Sequence, residues 1–231
     1  MRIYERFPEA LGEVKRDLVE MGIKIHPKTY QDKWVAEDPA FDAFELQDYI
    51  YRVTQPHASD LTPTQPWADA EFAERMAGKS NPGEAWKLRA DVWSQFLQED
   101  GKFGYSYADR IWEEHQITEV VQALVDDNDS RQAFLAIWKP SDVHNLGGVS
   151  RVPCSLGYQF QIRQGQLNMM YLQRSADFGT HLINDIYLAA LTHAHICNQV
   201  NLWGDKTIQF GYYSHWIGSL HIFKKDTKGV F

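Results

Sequence analysis

The chain is poor in several features that mark large classes of protein. Its 231 residues include only two cysteines, too few for the disulfide framework that stabilises small secreted domains. The formal net charge of −8 is the opposite of the basic excess that duplex nucleic acid demands, so we expect no nucleic-acid partner. No apolar segment approaches membrane-spanning length, and residues 1–6 lack the apolar run of a signal peptide. These absences predict a cytoplasmic protein without a membrane partner.

Spacings typical of metal sites are also missing. The sequence contains no Cys-x-x-Cys and no His-Glu-x-x-His, and His193 and His195 are two residues apart, so they diverge on a helix. We therefore expect no metal centre. Cys197, which follows these histidines, fits the ordinary role of a small buried side chain.

Hydrophobic periodicity predicts a single α+β domain over residues 1–231, helical in its first half and rich in strands in its second. Residues 27–67 carry scattered prolines and aromatics and are expected to form loops with short elements. The expected helices lie near 11–21, 68–78, 84–99, 108–126 and 184–200. The expected strands lie near 133–138, 155–163, 167–173, 207–213 and 217–224, the second and third joined as a hairpin around Gln164-Gly165.

Cys154 is the most informative residue of the chain. It follows Pro153 and precedes the alternating segment 155–163, whose expected hairpin partner leads into Arg174-Ser175-Ala176-Asp177. A neighbouring guanidinium favours the thiolate, which is the nucleophilic form of cysteine, and an Arg-Ser pair suits an anion. Since a free cysteine is more often a buried small hydrophobe, the thiol alone does not establish catalysis.

Several short motifs occur in a fixed order along the second half of the chain. They are Asp129-Ser130-Arg131, Pro153-Cys154, Arg174-Ser175-Ala176-Asp177, Asn184-Asp185 and Gly218-Ser219-Leu220-His221. This series resembles the thymidylate synthase family, and especially its deoxycytidylate hydroxymethylase branch, densely from about residue 129 to residue 223. The resemblance implies that family's fold, a mixed β-sheet flanked by helices, with the sheets of two subunits packed back to back in a homodimer.

The resemblance also implies roles for single residues. Cys154 matches the nucleophile that adds to C6 of a pyrimidine nucleoside monophosphate, and Arg174 and Ser175 match the pair that binds its phosphate. Arg131 matches a residue that reaches the phosphate in the partner subunit, although the second arginine of that loop is Gln132 here.

Three further ligands follow from the same resemblance. Asp177 matches the carboxylate that holds the pterin ring of a folate, and Lys28 is a candidate for the remaining phosphate contact. His221 matches a ligand of the sugar hydroxyl. The tyrosine that follows two residues later in the family is Phe223 here, so one hydroxyl contact is missing.

The residue that reads the base is expected eleven positions after Arg174, which is Asp185, while Asn184 and Gln173 are expected to contact the substrate beside it. A carboxylate accepts from the N4 amino group of cytosine, whereas an asparagine matches both edges of uracil. Two alternatives stay open: Asp185 caps the following helix, or a shift of one residue puts Asn184 at the base and restores a preference for uracil.

Proton transfer requires further groups. Glu74 lies where the family keeps a glutamate that orders water, with Glu71 as the competing candidate and a solvated helix face as the alternative for both. In the segment Gly104-Tyr105-Ser106-Tyr107, Tyr107 gives the better register for a residue that assists loss of the C5 proton.

The reaction that the resemblance implies is transfer of a one-carbon unit from 5,10-methylenetetrahydrofolate to C5 of dCMP or CMP, giving the 5-hydroxymethyl nucleotide and tetrahydrofolate. The sequence ends at Phe231, soon after the sugar motif, and a short tail favours capture of water over hydride transfer. The alternatives are a thymidylate synthase acting on dUMP, a catalytically silent nucleotide-binding homologue, and a hydrolase built on Cys154 and His221.

Overall fold

The computed structural model describes residues 1–79 and 81–228, so the end of the C-terminal tail, residues 229–231, lies outside the described residues. The strands of the described part are β1 (Arg2–Tyr4), β2 (Ile23–Ile25), β3 (Thr29–Tyr30), β4 (Lys33–Trp34), β5 (Ala43–Val53), β6 (Phe134–Ala136), β7 (Ser155–Arg163), β8 (Gln166–Asp177) and β9 (Gln209–Phe223). Its α-helices are α1 (Phe7–Met21), α2 (Trp67–Ala77), α3 (Ala90–Trp93), α4 (Tyr107–Trp112), α5 (Gln116–Asp126) and α6 (Leu182–Trp203).

Most strands join one mixed sheet in the order β1-β5-β9-β8-β7-β6, with β2 also paired to β5, while β3 and β4 form a separate hairpin. Strands β8 and β9 run parallel, whereas β7 pairs antiparallel with β8 and β5 pairs antiparallel with β9. Parallel neighbours need a crossover connection, and α6 provides it between β8 and β9. The expected α+β architecture, a mixed sheet with flanking helices, is confirmed.

Helix α1 shows how the sequence pattern becomes packing. Phe7, Ala10, Val14 and Leu18 recur at helical spacing and are completely buried in the core. Gly22 is the C-cap of the helix. The position requires glycine, because a Cβ atom there would stand 2.4 Å from the carbonyl oxygen of Leu18. The expected helix over 11–21 is confirmed and begins four residues earlier.

The β7–β8 hairpin carries most of the motif residues. Gln164 and Gly165 both have positive φ, 54° and 72°, as a two-residue hairpin turn requires. Strand β7 spans the predicted residues 155–163, and β8 runs four residues beyond its predicted end at Gln173. That extension places the Arg174–Asp177 motif on the strand itself, next to β9.

The prediction of loops over residues 27–67 is wrong for β5, which lies inside the sheet between β1 and β9. Its alternation is interrupted at Asp48, where φ is 50°. Consequently Leu46 before the interruption and Tyr51 beyond it both lie in the core, although an odd number of positions separates them. A search for period-two alternation does not recognise such a strand.

Two predicted helices are interrupted in the structure. The segment predicted as one helix over 84–99 consists of two 3-10 turns around the short helix α3, with a break at Arg89, where φ is −137° and ψ is 46°. The helix predicted over 108–126 is divided at Glu114 and His115, whose φ angles are 51° and 59°. Two consecutive left-handed residues redirect the chain, so α4 and α5 pack against the core independently.

The two strands predicted over 207–213 and 217–224 are one continuous strand, β9. The polar residues that appeared to separate them, Ser214 and His215, are completely buried. The Nε atom of Arg52 donates to the Ser214 hydroxyl over 3.0 Å, and the Tyr51 hydroxyl lies 3.0 Å from Nδ1 of His215. Because neighbouring side chains satisfy these polar groups, the strand does not need to leave the sheet.

Helix α6 is buried along most of its length, and His193 and Cys197 lie on its inner side. The Nε2 atom of His193 donates to the carbonyl oxygen of Leu167 over 2.8 Å, and Cys197 packs in the main core. Neither α6 nor any other helix of the described residues combines the length and apolar character needed to cross a bilayer.

We predict that buried His193 and His215 make the fold sensitive to acid. Burial lowers the pKa of His193 from 6.5 to about 4, and that of His215 from 6.5 to about 3. Below about pH 6.5 the unfolded chain therefore binds protons that the folded chain does not, which costs about 1.4 kcal/mol per pH unit and histidine. The free energy of unfolding, measured by urea titration, should fall by about 2 kcal/mol per histidine between pH 7.5 and pH 5.

The matched variant is His193→Gln, which keeps a donor for Leu167. Its loss of stability over the same pH range should be smaller by about 2 kcal/mol. An unchanged pH dependence would show that His193 is not one of its sources.

Candidate active site

A cavity of about 440 Å³ opens beside the last residues of β8. Its wall is built from the β3–β4 hairpin, helices α2 to α4, the loop 145–152, the start of α6 and the end of β9. Seven of the residues predicted for the site lie in this wall: Tyr107, Cys154, Arg174, Ser175, Asp177, Asp185 and His221. The fold therefore brings together residues from four separate segments of the sequence.

The thiol of Cys154 lies at the centre of this wall, directly before β7. Its Sγ atom accepts a hydrogen bond from Nε2 of Gln31 over 3.9 Å. Burial raises the pKa of the Cys154 thiol, and the guanidinium groups of Arg174 and Arg151 offset that rise only in part. The neighbouring arginine thus favours the thiolate as expected, but in the ligand-free cavity desolvation of the anion outweighs this attraction.

Arg174 is fixed against the strand that carries the thiol. Its Nε atom donates to the carbonyl oxygen of Pro153 over 2.8 Å, and one terminal nitrogen donates to that of Val152 over 3.2 Å. It forms no ion pair with a carboxylate among the described residues. Arg174 therefore keeps its positive charge available for an anion that enters the cavity beside Ser175.

A chain of hydrogen bonds connects the core to Asp185 on α6. The Tyr51 hydroxyl lies 3.0 Å from Nδ1 of His215, Nε2 of His215 lies 2.8 Å from Oε1 of Gln173, and Nε2 of Gln173 donates to Asp185 over 2.9 Å. With His215 neutral, this order assigns its proton to Nε2, so each group donates to the next. This series of hydrogen bonds orients Asp185 as an acceptor at the cavity wall.

Opposing effects act on the pKa of Asp185. Burial raises the pKa of this carboxyl, whereas His181, Gln173 and Arg75 lower it in part. His181 lies one helical turn before Asp185 at the start of α6, and burial lowers its own pKa. A carboxyl with a raised pKa can exchange a proton with a ligand more readily than an ordinary aspartate can.

Tyr107 packs against Arg75, which is paired with Glu71. The guanidinium carbon of Arg75 lies 4.2 Å from the ring centre of Tyr107, and its Nε atom donates to Glu71 over 2.8 Å. The Tyr107 hydroxyl is 3.2 Å from the hydroxyl of Ser155, and burial raises the pKa of Tyr107. Tyr107 is therefore a neutral hydroxyl that can relay a proton, with a buried ion pair behind it.

His221 and Asp177 form the wall on the side of β9. Nδ1 of His221 lies 3.3 Å from the carbonyl oxygen of Ser219, whose hydroxyl donates to the buried carboxylate of Glu45. Asp177 accepts from the backbone N–H of Gly179 over 2.9 Å and from the Thr180 hydroxyl. Each carboxylate retains unused acceptor positions toward the cavity.

Five predicted site residues do not line the cavity of this chain, and their roles remain predictions. Glu74 accepts instead from the backbone N–H groups of Glu84 and Ala85, over 2.6 and 3.1 Å, and so fixes the turn after α2. Lys28 is exposed outside the cavity, and Arg131 is exposed on the loop after α5.

The other two are buried behind the cavity wall. Gln173 reaches the cavity only through Asp185, as described above. Asn184 accepts from the backbone N–H of Thr64 over 2.8 Å and fastens the loop before α2. Since α6 begins at Leu182, Asp185 lies inside its first turn and is not the N-cap, which is His181.

Several residues of the cavity were not predicted from the sequence. They are Gln31, Glu45, Arg75, Trp93, Arg151 and His181. An arginine in a sequence normally indicates a solvated surface, and nothing in the local pattern around Arg75 or Arg151 indicates burial. For Glu45, recognition of β5 as a central strand would have been the signal. Among the described residues, no three His, Cys, Asp or Glu side chains are grouped so as to hold a metal ion.

Comparison with known proteins gives a consistent result. A family model described as thymidylate synthase matches residues 69–230. The chain is 26% identical to a thymidylate synthase of Clostridium beijerinckii over 140 residues, which cover 60% of this chain and 49% of that protein. It is 30% identical over 115 residues to a bifunctional dihydrofolate reductase-thymidylate synthase of Paramecium tetraurelia, covering 50% of this chain and 23% of that protein. The chain thus spans half or less of the length of these curated relatives.

The fold has a counterpart among solved structures. Thermostable thymidylate synthase A from Bacillus subtilis aligns with a TM-score of 0.77 at 17% identity, covering 97% of this chain and 82% of that chain. At this identity the likeness establishes the fold.

We predict that Gln173 is energetically coupled to His215. Gln173→Leu removes the donor to the Asp185 carboxylate and the acceptor for Nε2 of His215, at about 1–3 kcal/mol for each buried group left unpaired. His215→Phe removes one of the same bonds, so the loss in the double variant should be smaller than the sum of the single losses by about 1 kcal/mol or more. Urea unfolding of the four proteins measures this difference, and strict additivity would show that the two side chains do not act as one network.

Proposed function

The chain belongs to the thymidylate synthase family, and on this premise we propose that it transfers a one-carbon unit from 5,10-methylenetetrahydrofolate to C5 of a cytidine nucleotide. The product is the 5-hydroxymethyl nucleotide, formed by capture of water. The observation that carries the proposal is the position of Asp185, which the donor chain through Gln173 orients as an acceptor in the same cavity as the Cys154 thiol.

The cavity offers suitable groups for both ligands. Arg174 and Ser175 supply a cation and a hydroxyl for the phosphate. His221, on β9, lines the cavity and is the candidate ligand of the sugar hydroxyl. Asp177 has free acceptor positions for the N–H groups of a pterin, and Trp93 offers a flat apolar surface for its ring. The folate, when bound, supplies a carbon at the oxidation level of formaldehyde.

The preference for cytosine follows from the chemistry of Asp185. An ionised Asp185 accepts from the N4 amino group, and a protonated Asp185 can donate to N3, which is unprotonated in neutral cytosine. Uracil presents the O4 acceptor and the N3–H donor instead, and O4 repels a carboxylate. Burial raises the pKa of Asp185, so its protonated form is favoured more than that of an ordinary aspartate.

The protein residues then act in sequence. Cys154 loses its proton to solvent and forms the S–C6 bond, the C5=C6 double bond opens, and a proton held by Asp185 neutralises the charge at N3. C5 then bonds to the transferred carbon, whose bond to one of the two folate nitrogens breaks. Tyr107 relays the C5 proton through water to solvent as the bond to the second folate nitrogen breaks and tetrahydrofolate, protonated by solvent, departs. Water adds to the resulting exocyclic carbon and releases a proton to solvent, the proton on N3 returns to Asp185, and expulsion of the Cys154 thiolate restores the C5=C6 double bond.

One assignment changes from that expected on the sequence. We assign the ordering of the attacking water to Glu71, because Arg75 connects its carboxylate to the cavity, whereas Glu74 is bonded to the backbone elsewhere. Arg131 is exposed and does not line the cavity of its own chain. It remains assigned to the phosphate of a partner subunit, in a homodimer whose two sites are shared.

The direct test is a product assay with [5-³H]-dCMP, [5-³H]-CMP and [5-³H]-dUMP in the presence of 5,10-methylenetetrahydrofolate. We expect tritium release from a cytidine nucleotide, a 5-hydroxymethyl product by mass spectrometry, and no dihydrofolate absorbance. Cys154→Ser should abolish release, and Cys197→Ser, which removes the other thiol, should retain it. Formation of dihydrofolate from dUMP would identify a thymidylate synthase, and nucleotide binding without any release would identify a silent homologue.

We predict that Asp185→Asn shifts the preference toward uracil nucleotides. The amide removes the repulsion of O4 and loses one acceptor for the N4 amino group, so the ratio of kcat/KM for dCMP to that for dUMP should fall about ten- to a hundredfold. Asn184→Asp is the matched control, since Asn184 contacts Thr64 and not the cavity. If Asn184→Asp moves the ratio and Asp185→Asn does not, the assignment of the base-reading residue is off by one position.

A further inference from the structure

Arg151 is the one buried arginine of the described residues whose charge has no protein partner. Three arginines are buried to a similar degree, with 7% exposure for Arg75, 8% for Arg110 and 7% for Arg151. Arg75 is paired with Glu71 at 2.8 Å and Arg110 with Asp142 at 2.6 Å.

No corresponding ion pair or hydrogen bond holds the guanidinium of Arg151. Its Nε atom is buried without a hydrogen-bond partner, and within residues 1–79 and 81–228 no carboxylate lies within ion-pair distance of it. A buried charge without a counter-ion is costly unless a ligand supplies the missing acceptors. Since Arg151 lines the cavity, the ligand that enters there is the available source.

Aromatic rings fix the position of this guanidinium. Its central carbon lies 4.3 Å from the ring centre of Phe96, 5.1 Å from Tyr105, 5.3 Å from Trp93 and 5.9 Å from Phe103. Rings that cover the faces of a guanidinium leave its N–H edge for the ligand, and that edge suits acceptor atoms lying in one plane.

The aromatic part of the wall contains further buried donors that lack an acceptor. The indole N–H groups of Trp67 and Trp93 are buried without a partner, and the two rings stack at 5.9 Å. Donors without acceptors along a flat apolar surface are complementary to a flat ring that carries carbonyl oxygen or ring nitrogen acceptors. The nucleotide contacts assigned above leave this aromatic part of the wall unused.

We propose that Arg151 is a binding residue for the folate co-substrate and donates to the acceptor edge of its bicyclic ring, which packs against Trp93. This inference rests on the proposed function and extends it to a residue outside the sequence motifs. Arg151 thereby selects a ring with a carbonyl group at that edge, while Asp177 accepts from the ring N–H groups.

The test measures binding of tetrahydrofolate by isothermal titration calorimetry at saturating dCMP. Arg151→Met keeps the apolar stem and removes the donors, and it should raise the Kd for tetrahydrofolate about ten- to a hundredfold. The Kd for dCMP alone should stay within twofold of the wild-type value. Arg151→Lys keeps the charge without the planar fork and should recover little of the lost affinity.

Thermal unfolding separates a ligand-binding role from a structural one. Without ligand, Arg151→Met should be at least as stable as the wild-type protein, because it removes an unpaired buried charge. The control Arg110→Met should lower Tm, because it leaves Asp142 buried and unpaired, and should leave the Kd for tetrahydrofolate unchanged. Arg110 suits this purpose because it lies over the same Tyr105 ring, at 5.7 Å, but outside the cavity wall.

The outcomes are distinct. If Arg151→Met lowers Tm and leaves the Kd for tetrahydrofolate unchanged, Arg151 is a packing residue and the inference is overturned. A rise in the Kd for dCMP alone would assign Arg151 to the phosphate and overturn it equally. Titration with the glutamyl dimethyl ester of tetrahydrofolate should show the same loss, whereas a loss seen only with the free acid would assign Arg151 to the carboxylate tail. If the wild-type chain binds no tetrahydrofolate, the proposed function itself fails.

Discussion

The line of hydrogen bonds from Tyr51 through His215 and Gln173 to Asp185 is the constraint on which the rest of the site depends. It crosses three adjacent strands and ends on α6, so the order of strands in the sheet fixes the position of Asp185 as firmly as it fixes the core. Its direction matters as much as its existence. A neutral His215 that donates to the Gln173 carbonyl leaves the amide N–H group pointing to Asp185, and the carboxylate can then be only an acceptor on that side. A buried glutamine alone would leave that orientation undetermined.

In the cavity, exclusion of water and the nearby charged groups have opposing effects on protonation. Burial keeps Cys154, Tyr107 and His181 in their neutral forms, while Arg174 and Arg75 introduce positive charge that ligands can use. In the empty cavity desolvation dominates, so the thiol is protected from adventitious reaction with electrophiles. The same exclusion of water makes each buried donor without an acceptor unfavourable in free energy, so the wall selects ligands that supply those acceptors.

Much of this could be predicted from the sequence, and the failures have physical causes. The motif around Cys154 and Arg174 lies on a regular hairpin, so contiguous residues stay together and alternate as expected. Glu71 and Glu74 lie on the same helix, α2, and the sequence does not reveal that Arg75 donates to Glu71 whereas Glu74 accepts from the backbone beyond that helix. Strand β5 was missed because a single left-handed residue interrupts its pattern, and β9 was divided because its buried polar residues have partners only in three dimensions.

The adjacency of Asn184 and Asp185 near the start of α6 has an evolutionary consequence. Successive residues of a helix point about 100° apart, so one side chain faces the cavity while its neighbour fastens the loop at Thr64. Insertion of one residue in the short connection between β8 and α6 would rotate the helix by that angle and bring Asn184 to the position of Asp185. On the proposed reading of the base by Asp185, a lineage could in this way change its specificity through a single insertion, and substitution counts along this segment would understate how close two specificities are.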